Sequence, residues 1–375
     1  MAKMTNPMGE VRVRQAGQKR KLDGMRTSTI KSFGLHSAAM GSERYDLNVV
    51  SSGSLMLDYK MGTGGMIYGG MVEVYGANGL GKSSAILYGT LSNVQREEKL
   101  TALIAMEPIF DKKWAARLGL DPDFLLIMRP DNAQEAFDML RYLVFNTEVD
   151  FIGIDSLGAM GNESSQKEGG KPKAFGISGE VTSGLNDVMP RLYKSNKGLM
   201  IVNQQRQGQG GTQTWHESPG GEALKHHAWL RIQVKPGSTK FPAKIDGEDV
   251  LAGRELKCTF KKPSKVSQLL GKSAEFDFYT IEHEDYHNVI GIDEVSDVVK
   301  TAKVSGVFKS QGSWLEHEVF PKGKIQGVPK ARAFFKKNPE AMEKIREDVI
   351  KVMIRQELEA EEVEIAAKEV VLDNG

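Results

Sequence analysis

The chain has 375 residues, of which 40 are Gly (about 11% against an average near 7%) and 40% are apolar, and its formal net charge is +1. This composition excludes a collagen-like repeat, a coiled-coil rod and a wholly disordered chain, and at roughly 150 residues per domain the length predicts about two domains. One cysteine, Cys258, excludes a disulfide framework and a multi-Cys zinc cluster and points to a reducing, cytoplasmic setting. No run approaches the roughly 18 apolar residues of a bilayer-spanning helix, and the N-terminus, MAKMTNPMGEVRVRQ, lacks the apolar stretch of a secretory signal.

The charge is unevenly spread. Residues 1–45 carry Lys3, Arg12, Arg14, Lys19, Arg20, Lys21, Arg26, Lys31 and Arg44 against Glu10, Asp23 and Glu43. Apart from a patch at Ile30, Phe33, Leu35 and Met40 they lack apolar periodicity, so a basic arm with one short helix is expected, available for oligomerisation or DNA contact. From residue 46 short apolar runs alternate with helical stretches: MVEVYGA (71–77), TALIAM (101–106), FLLIM (124–128), FIGID (151–155) and GLMIVNQ (198–204). The alternation predicts an α/β fold with a mostly parallel central sheet. Three further runs, AWLRIQV (228–234), ELKCTF (255–260) and AEFDFYTI (274–281), have β character without an obvious crossover helix and are expected to extend the sheet as antiparallel strands, closing a core over 46–281. Within that core the stretches 161–174 and 207–214, rich in Gly with Lys, Ser or Gln, read as mobile loops.

Beyond residue 282 the composition shifts towards helix, and a small C-terminal lobe is expected over 282–355. Asp293 is a candidate N-cap, Val295, Val298, Val299 and Ala302 share one face, and Gly306 is a stop. Asn338 followed by Pro339 marks another helix start, and Met342, Ile345, Val349, Val352 and Met353 form an apolar stripe read as core. The last segment, 356–375, is acidic, with Glu357, Glu359, Glu361, Glu362, Glu364, Glu369 and Asp373 against Lys368. Such a tail can compete with a polyanion for basic surface.

Gly76-Ala77-Asn78-Gly79-Leu80-Gly81-Lys82-Ser83 fits G-x-x-x-x-G-K-[ST], the P-loop pattern in which backbone N–H groups wrap phosphate oxygens and the following helix aims its positive end at them. Lys82 would neutralise the β- and γ-phosphates, and Ser83 would ligate Mg2+. The context fits as well: the apolar strand MVEVY ends just before Gly76, and a helical pattern of Ala85, Leu87, Leu91 and Val94 follows. A P-loop needs a second acidic group for the metal, and Asp155 at the end of FIGID supplies it at the carboxyl edge of a parallel strand. Glu107, at the end of TALIAM, is the candidate for orienting the attacking water.

The segments SSGSLMLDYKMGTGGMIYGGMVEVYGANGLGKSS (51–84), MEPIFD (106–111), DFIGIDSLGAM (150–160), VNQQR (202–206), SPGGEALKHHAWLRI (218–232) and QGSWL (311–315) together resemble the RecA family of recombinases. They run collinearly over about 51–340, with spacing that suggests a divergent member of viral rather than bacterial type. The resemblance implies a RecA-like P-loop ATPase core with a small α+β C-terminal lobe. It makes Glu107 the catalytic glutamate and Gln204 the glutamine that senses the γ-phosphate and relays it to a DNA-binding loop beginning at Arg206. It adds Ser84 to the nucleotide loop and places Asp111 and Trp114 around adenine, although Trp114 also reads as a helix residue filling the core. Lys261 and Lys262 match lysines that reach a neighbouring subunit's γ-phosphate, with Lys265 as a rival.

In the family, two loops on one sheet edge line the path of single-stranded DNA. Loop 161–179 offers Lys167, Lys171, Lys173, Phe175 and Gly176, combining phosphate neutralisation with one large ring able to stack between bases. Loop 206–219 offers Arg206, Gly210, Gly211 and Trp215, followed by Gly220, Gly221 and Lys225. The chain departs from the family pattern at Pro108, where histidine is common, and at Gln207, Gly208 and Gln209, where a branched apolar residue is usual. The function so implied is an ATP- and Mg2+-dependent recombinase that forms filaments of itself on single-stranded DNA and exchanges strands with homologous duplex. Its ATP hydrolysis would depend on DNA, and single-strand-binding and loading proteins would be further partners, with no membrane. Two alternatives stay open: a hexameric helicase on the same core, and an ATP-binding mediator or scaffold without significant hydrolysis.

Overall fold

The computed structural model describes residues 18–29, 31, 48–106, 110–158, 176–210, 213–217, 220–262 and 271–354, with the backbone alone at 176–178, 206–210, 213–217 and Lys262. The chain separates into two compact units, 1–47 and 48–375. In the first, residues 18–29 form an exposed helix. The second holds a nine-stranded sheet. Its strands in chain order are β1 (Met71–Gly76), β2 (Thr101–Ala105), β3 (Leu125–Met128), β4 (Phe151–Asp155), β5 (Gly198–Gln204), β6 (Leu230–Ile245), β7 (Glu248–Lys262), β8 (Ser273–Tyr279) and β9 (Gly291–Ile292). Across the sheet they run β9-β8-β7-β6-β1-β5-β4-β2-β3.

Six neighbouring strands, β6 through β3, are parallel, and β7, β8 and β9 continue antiparallel. The run AWLRIQV therefore joins the parallel set, pairing Leu230 with Val72 and Val234 with Gly76, where the sequence predicts an antiparallel strand. The crossover that makes this possible includes a helix of seven residues, Gly221–His227, too short for its periodicity to show against the glycines around it. The two runs after it are antiparallel as expected.

The helices of this unit among the described residues include α1 (Leu55–Met61), α2 (Tyr88–Arg96), α3 (Lys112–Arg117), α4 (Ala133–Asn146), α5 (Gly176–Ser195), α6 (Gly221–His227), α7 (Glu294–Val304) and α8 (Gly327–Lys337). A further helix runs over 339–354. Side chains alternate across a strand, and the two faces are covered differently. On one face Met71, Ile152, Ile154, Leu199 and Ile201 pack with Phe137, Leu140 and Leu143 of α4 and with Val181, Leu185 and Val188 of α5. On the other, a Cβ on Gly153 would lie 2.8 Å from Leu87, so the absent side chain lets the helix after the P-loop sit against the sheet.

The C-terminal residues build a second core from Val298, Val299, Phe308, Phe320, Phe335, Ile345, Val349 and Met353, and Leu55 and Tyr59 of α1 belong to it. Asp293 caps α7 by accepting from the Ser296 N–H, and the helix stops before Gly306, whose φ of 81° suits glycine. Asn338 stands where the sequence places a cap, yet its amide donates back to the Phe334 carbonyl and so finishes α8. Cys258 is buried, and loss of solvation pushes its thiol up to about 12. Among the described residues no helix is long and apolar enough to cross a membrane.

Candidate nucleotide and DNA site

The P-loop leaves the sheet at the carboxyl end of β1, between β5 and β6, where the order of the parallel strands reverses around it. Loops diverge at such a switch point and leave a crevice for a ligand. Gly76 lies opposite Gln204 on one side and Val234 on the other. A Cβ there would lie 2.3 Å from the Val234 carbonyl oxygen, so only glycine lets the strands stay paired at this point. Gly79 and Gly81 take φ of 68° and 80°, the left-handed region that turns the chain back on itself. The N–H groups of Asn78, Gly79 and Gly81 have no backbone hydrogen bond among the described residues. This is what a loop built to receive phosphate oxygens requires. Lys82 is nearly buried, and its Nζ donates to the Ala77 carbonyl at 2.8 Å, which holds the ammonium inside the loop.

Residues Lys82–Leu87 are wound as a π-helix before α2 begins. Ala85, Leu87, Leu91 and Val94 are all buried, in keeping with the predicted apolar face. Ser84 Oγ accepts from the Trp114 indole Nε1 at 2.9 Å, and Asp111 caps α3 by accepting from the N–H groups of Lys113 and Trp114. These contacts tie α3 to the P-loop helix and fix the half-buried indole beside it. Next to Ser84 is a cavity of about 260 Å³, lined by Asn93, Arg96, Arg117, Phe278 and Gly291 among others. Arg117 is held there by an ion pair with Glu282 at 3.1 Å.

Asp155 ends β4 opposite Ala105, and its carbonyl accepts from the Met106 N–H at 2.7 Å. Alternation puts Asp155 on the same face as Gly153 and, through the pairing of Ile154 with Ile201, on the same face as Val202 and Gln204. The P-loop, Asp155 and Gln204 therefore share one face and one edge of the sheet. A Cβ on Gly158 would lie 2.7 Å from Gln204 Cβ, so the first residues after β4 rest directly against the Gln204 side chain. Glu107 and Pro108 lie outside the described residues, as do Lys167, Lys171, Lys173, Phe175, Gly211 and Lys265.

Around the loops, Gly176 opens α5, and Arg206–Gly210 pairs with Gln213–Glu217 as an antiparallel hairpin, a more regular form than a loop. Gly220, with φ of 113°, is packed against Leu224 and Val181, and Gly221 begins α6. Lys225 of α6 is paired with Glu222 at 2.7 Å. Lys261 and Lys262 end β7 at the level of Arg231, four residues along the strand from the Cys258 level of Gly76, or roughly 13 Å towards the opposite edge. They stand away from their own chain's P-loop. The apolar strand MVEVY also carries a charge that sequence reading left unused: Glu73 is fully buried and bonded to Asn203 and Arg231. Its signal was a carboxylate in an otherwise apolar run.

A phosphate loop at the switch point of a parallel sheet, with an acidic strand end beside it, defines a P-loop nucleotide-binding protein. The family model described as the RecA N-terminal domain matches residues 22–279. Protein RecA of Corynebacterium efficiens is 31% identical over 89% of this chain and 83% of its own length. Protein RecA of Corynebacterium diphtheriae is 29% identical over 94% and 89%, and that of Thermus thermophilus is 29% identical over 82% and 86%. The chain belongs to the RecA family. It is a homologous recombinase and a DNA-dependent ATPase, and the helicase and scaffold alternatives give way to this membership.

Proposed function

We propose that the shared face of the P-loop, Asp155 and Gln204 is where ATP bound between subunits controls a filament on single-stranded DNA. The observation that carries the reading is the convergence of these three at one sheet edge, with the P-loop N–H groups left for phosphate. Residues Gly76–Ser84 cradle the phosphates, and Lys82 exchanges the Ala77 carbonyl for phosphate oxygens, a stronger, charge-assisted partner. The hydroxyl of Ser83 and the carboxylate of Asp155 are hard oxygen donors suited to Mg2+, which neutralises phosphate charge when bound. The cavity beside Ser84, bordered by Arg117 and Gly291, accommodates the nucleoside, with Trp114 and Asp111 on its α3 side. Glu107 takes a proton from the attacking water as the new P–O bond forms and the bridging oxygen departs with ADP. Gln204 contacts the γ-phosphate and changes position when it leaves.

The displacement of Lys261 and Lys262 from their own P-loop supports a role at the neighbour's nucleotide. Strand β3 ends the sheet with Leu126 exposed and Phe124 exposed in the turn before it, beside an edge unpaired among the described residues, a surface suited to a second copy of the chain. Residues 161–175, ahead of α5, and the hairpin region 206–219 follow the two strands that carry Asp155 and Gln204, so DNA bound there meets the nucleotide edge. Homologous duplex is the second substrate, single-strand-binding and loading proteins assist, and the acidic tail 356–375 screens the basic surface. The deciding experiment measures ATP hydrolysis with and without single-stranded DNA, together with sedimentation of polymer. Stimulation by DNA with ATP-dependent polymer is expected, and hydrolysis indifferent to DNA would overturn this assignment of the loops.

A further inference from the structure

Glu73 sits in the middle of β1 with no exposure and accepts from two neighbouring strands: Asn203 Nδ2 of β5 at 3.2 Å and Arg231 Nε of β6 at 2.5 Å. The Arg231 side chain is 13% exposed, and its guanidinium lies 4.9 Å from the centre of the Tyr75 ring. Apolar side chains of similar volume commonly serve a sheet interior at least as well as a buried ion pair. The polar ladder is therefore poorly explained by stability alone.

Register says what else it does. Asn203 lies opposite Tyr75 and Arg231 opposite Glu73, so the ladder occupies the face turned towards α5 and α6, whereas Gln204 occupies the face of the P-loop. The two faces meet at Asn203. Its Oδ1 accepts from the Gln204 N–H at 3.0 Å while its Nδ2 holds Glu73, so one carboxamide grips both the Gln204 backbone and the buried carboxylate. A rotation of the Gln204 peptide must move that carboxamide. Arg231, at the other end, lies just after α6, the helix that closes the second loop.

We propose that Asn203, Glu73 and Arg231 are positioning residues that carry the nucleotide state of Gln204 through the sheet to the base of the second DNA loop. The proposal rests on Gln204 as the γ-phosphate contact. The full chain is tested for single-stranded DNA affinity with and without a non-hydrolysable ATP analogue, alongside the KM for ATP and DNA-free hydrolysis. Arg231→Met should shrink the nucleotide-dependent gain in affinity by roughly 10-fold, with KM and DNA-free hydrolysis at parent values, and Arg231→Lys should recover part of the gain. A folded Arg231→Met chain that keeps the whole gain overturns the proposal. Should that variant fail to fold, Glu73→Gln, which keeps the shape and removes the charge, decides by the same ratio. Gln204→Ala separates the two readings. If it leaves the gain intact, the role of Gln204 fails and takes the ladder with it; if it abolishes the gain while Arg231→Met does not, the ladder alone fails.

Discussion

The nucleotide edge of the sheet and the seam between α1 and α7 both bury charged side chains, and they hold them by different means. At the edge, Lys82 rests on a carbonyl of its own loop, an acceptor that a phosphate oxygen can replace. At the seam, Asp58 accepts from Ser51 Oγ and the Ser52 N–H, and Asp297 from Ser54 Oγ and the Met56 N–H. These two carboxylates staple the 51–54 turn, α1 and α7 together, with no part for a ligand. Burial pushes Asp58 up to about 6 and Asp297 up to about 7. The ionisable group on the glycine-rich loop is thus held by an acceptor of its own loop, whereas the buried carboxyls under a helix join two parts of the fold.

Three substitutions sharpen or break this contrast. Lys82→Ala should lower ATP turnover roughly 100-fold or more, the scale on which loss of a preorganised charge-stabilising group acts, while leaving the melting temperature near that of the parent. A large fall in melting temperature would mean that Lys82 is structural and the contrast false. Phe335→Ala in the second core, where the ring is 1% exposed and packs with Phe308 and Phe320, should have the converse effect. It should cost about 3–5 kcal/mol of stability in denaturant titration with ATP affinity unchanged.

The smallest effect is a pH dependence. Asp58 and Asp297 have folded-state values raised above the 3.8 of a free carboxyl, so their contribution is fully present below about pH 4 and is lost as pH rises through 6 and 7. Melting temperature should therefore decline between about pH 4 and pH 7. Asp297→Asn, neutral throughout, should flatten that decline, and an unaltered slope would place the titration elsewhere.

The site was more legible than the sheet. The P-loop can be read because its chemistry needs fixed residues at fixed spacing, and Asp155 because it ends an apolar run of strand length, whereas Gln204 is marked only by the resemblance to the family. The direction of β6 could not be read, since parallel and antiparallel strands share the same local pattern and differ only in the path of the connection between them. Asp58 and Asp297 escaped for a related reason: they are 239 residues apart, and nothing near either one marks it as buried.

Local chemistry settled what lies within a few residues: the glycine turn, the cap at Asp293, the apolar stripes and the carboxyl ends of the strands that carry the P-loop and Asp155. Packing settled everything that depends on a distant neighbour. Gly76 is required by the carbonyl of Val234, Gly153 by Leu87 and Gly158 by Gln204, and each of these is a close approach between elements far apart in the chain. The ladder from Asn203 to Arg231 belongs to the same class, because a buried carboxylate acquires its partners only when three strands come into register.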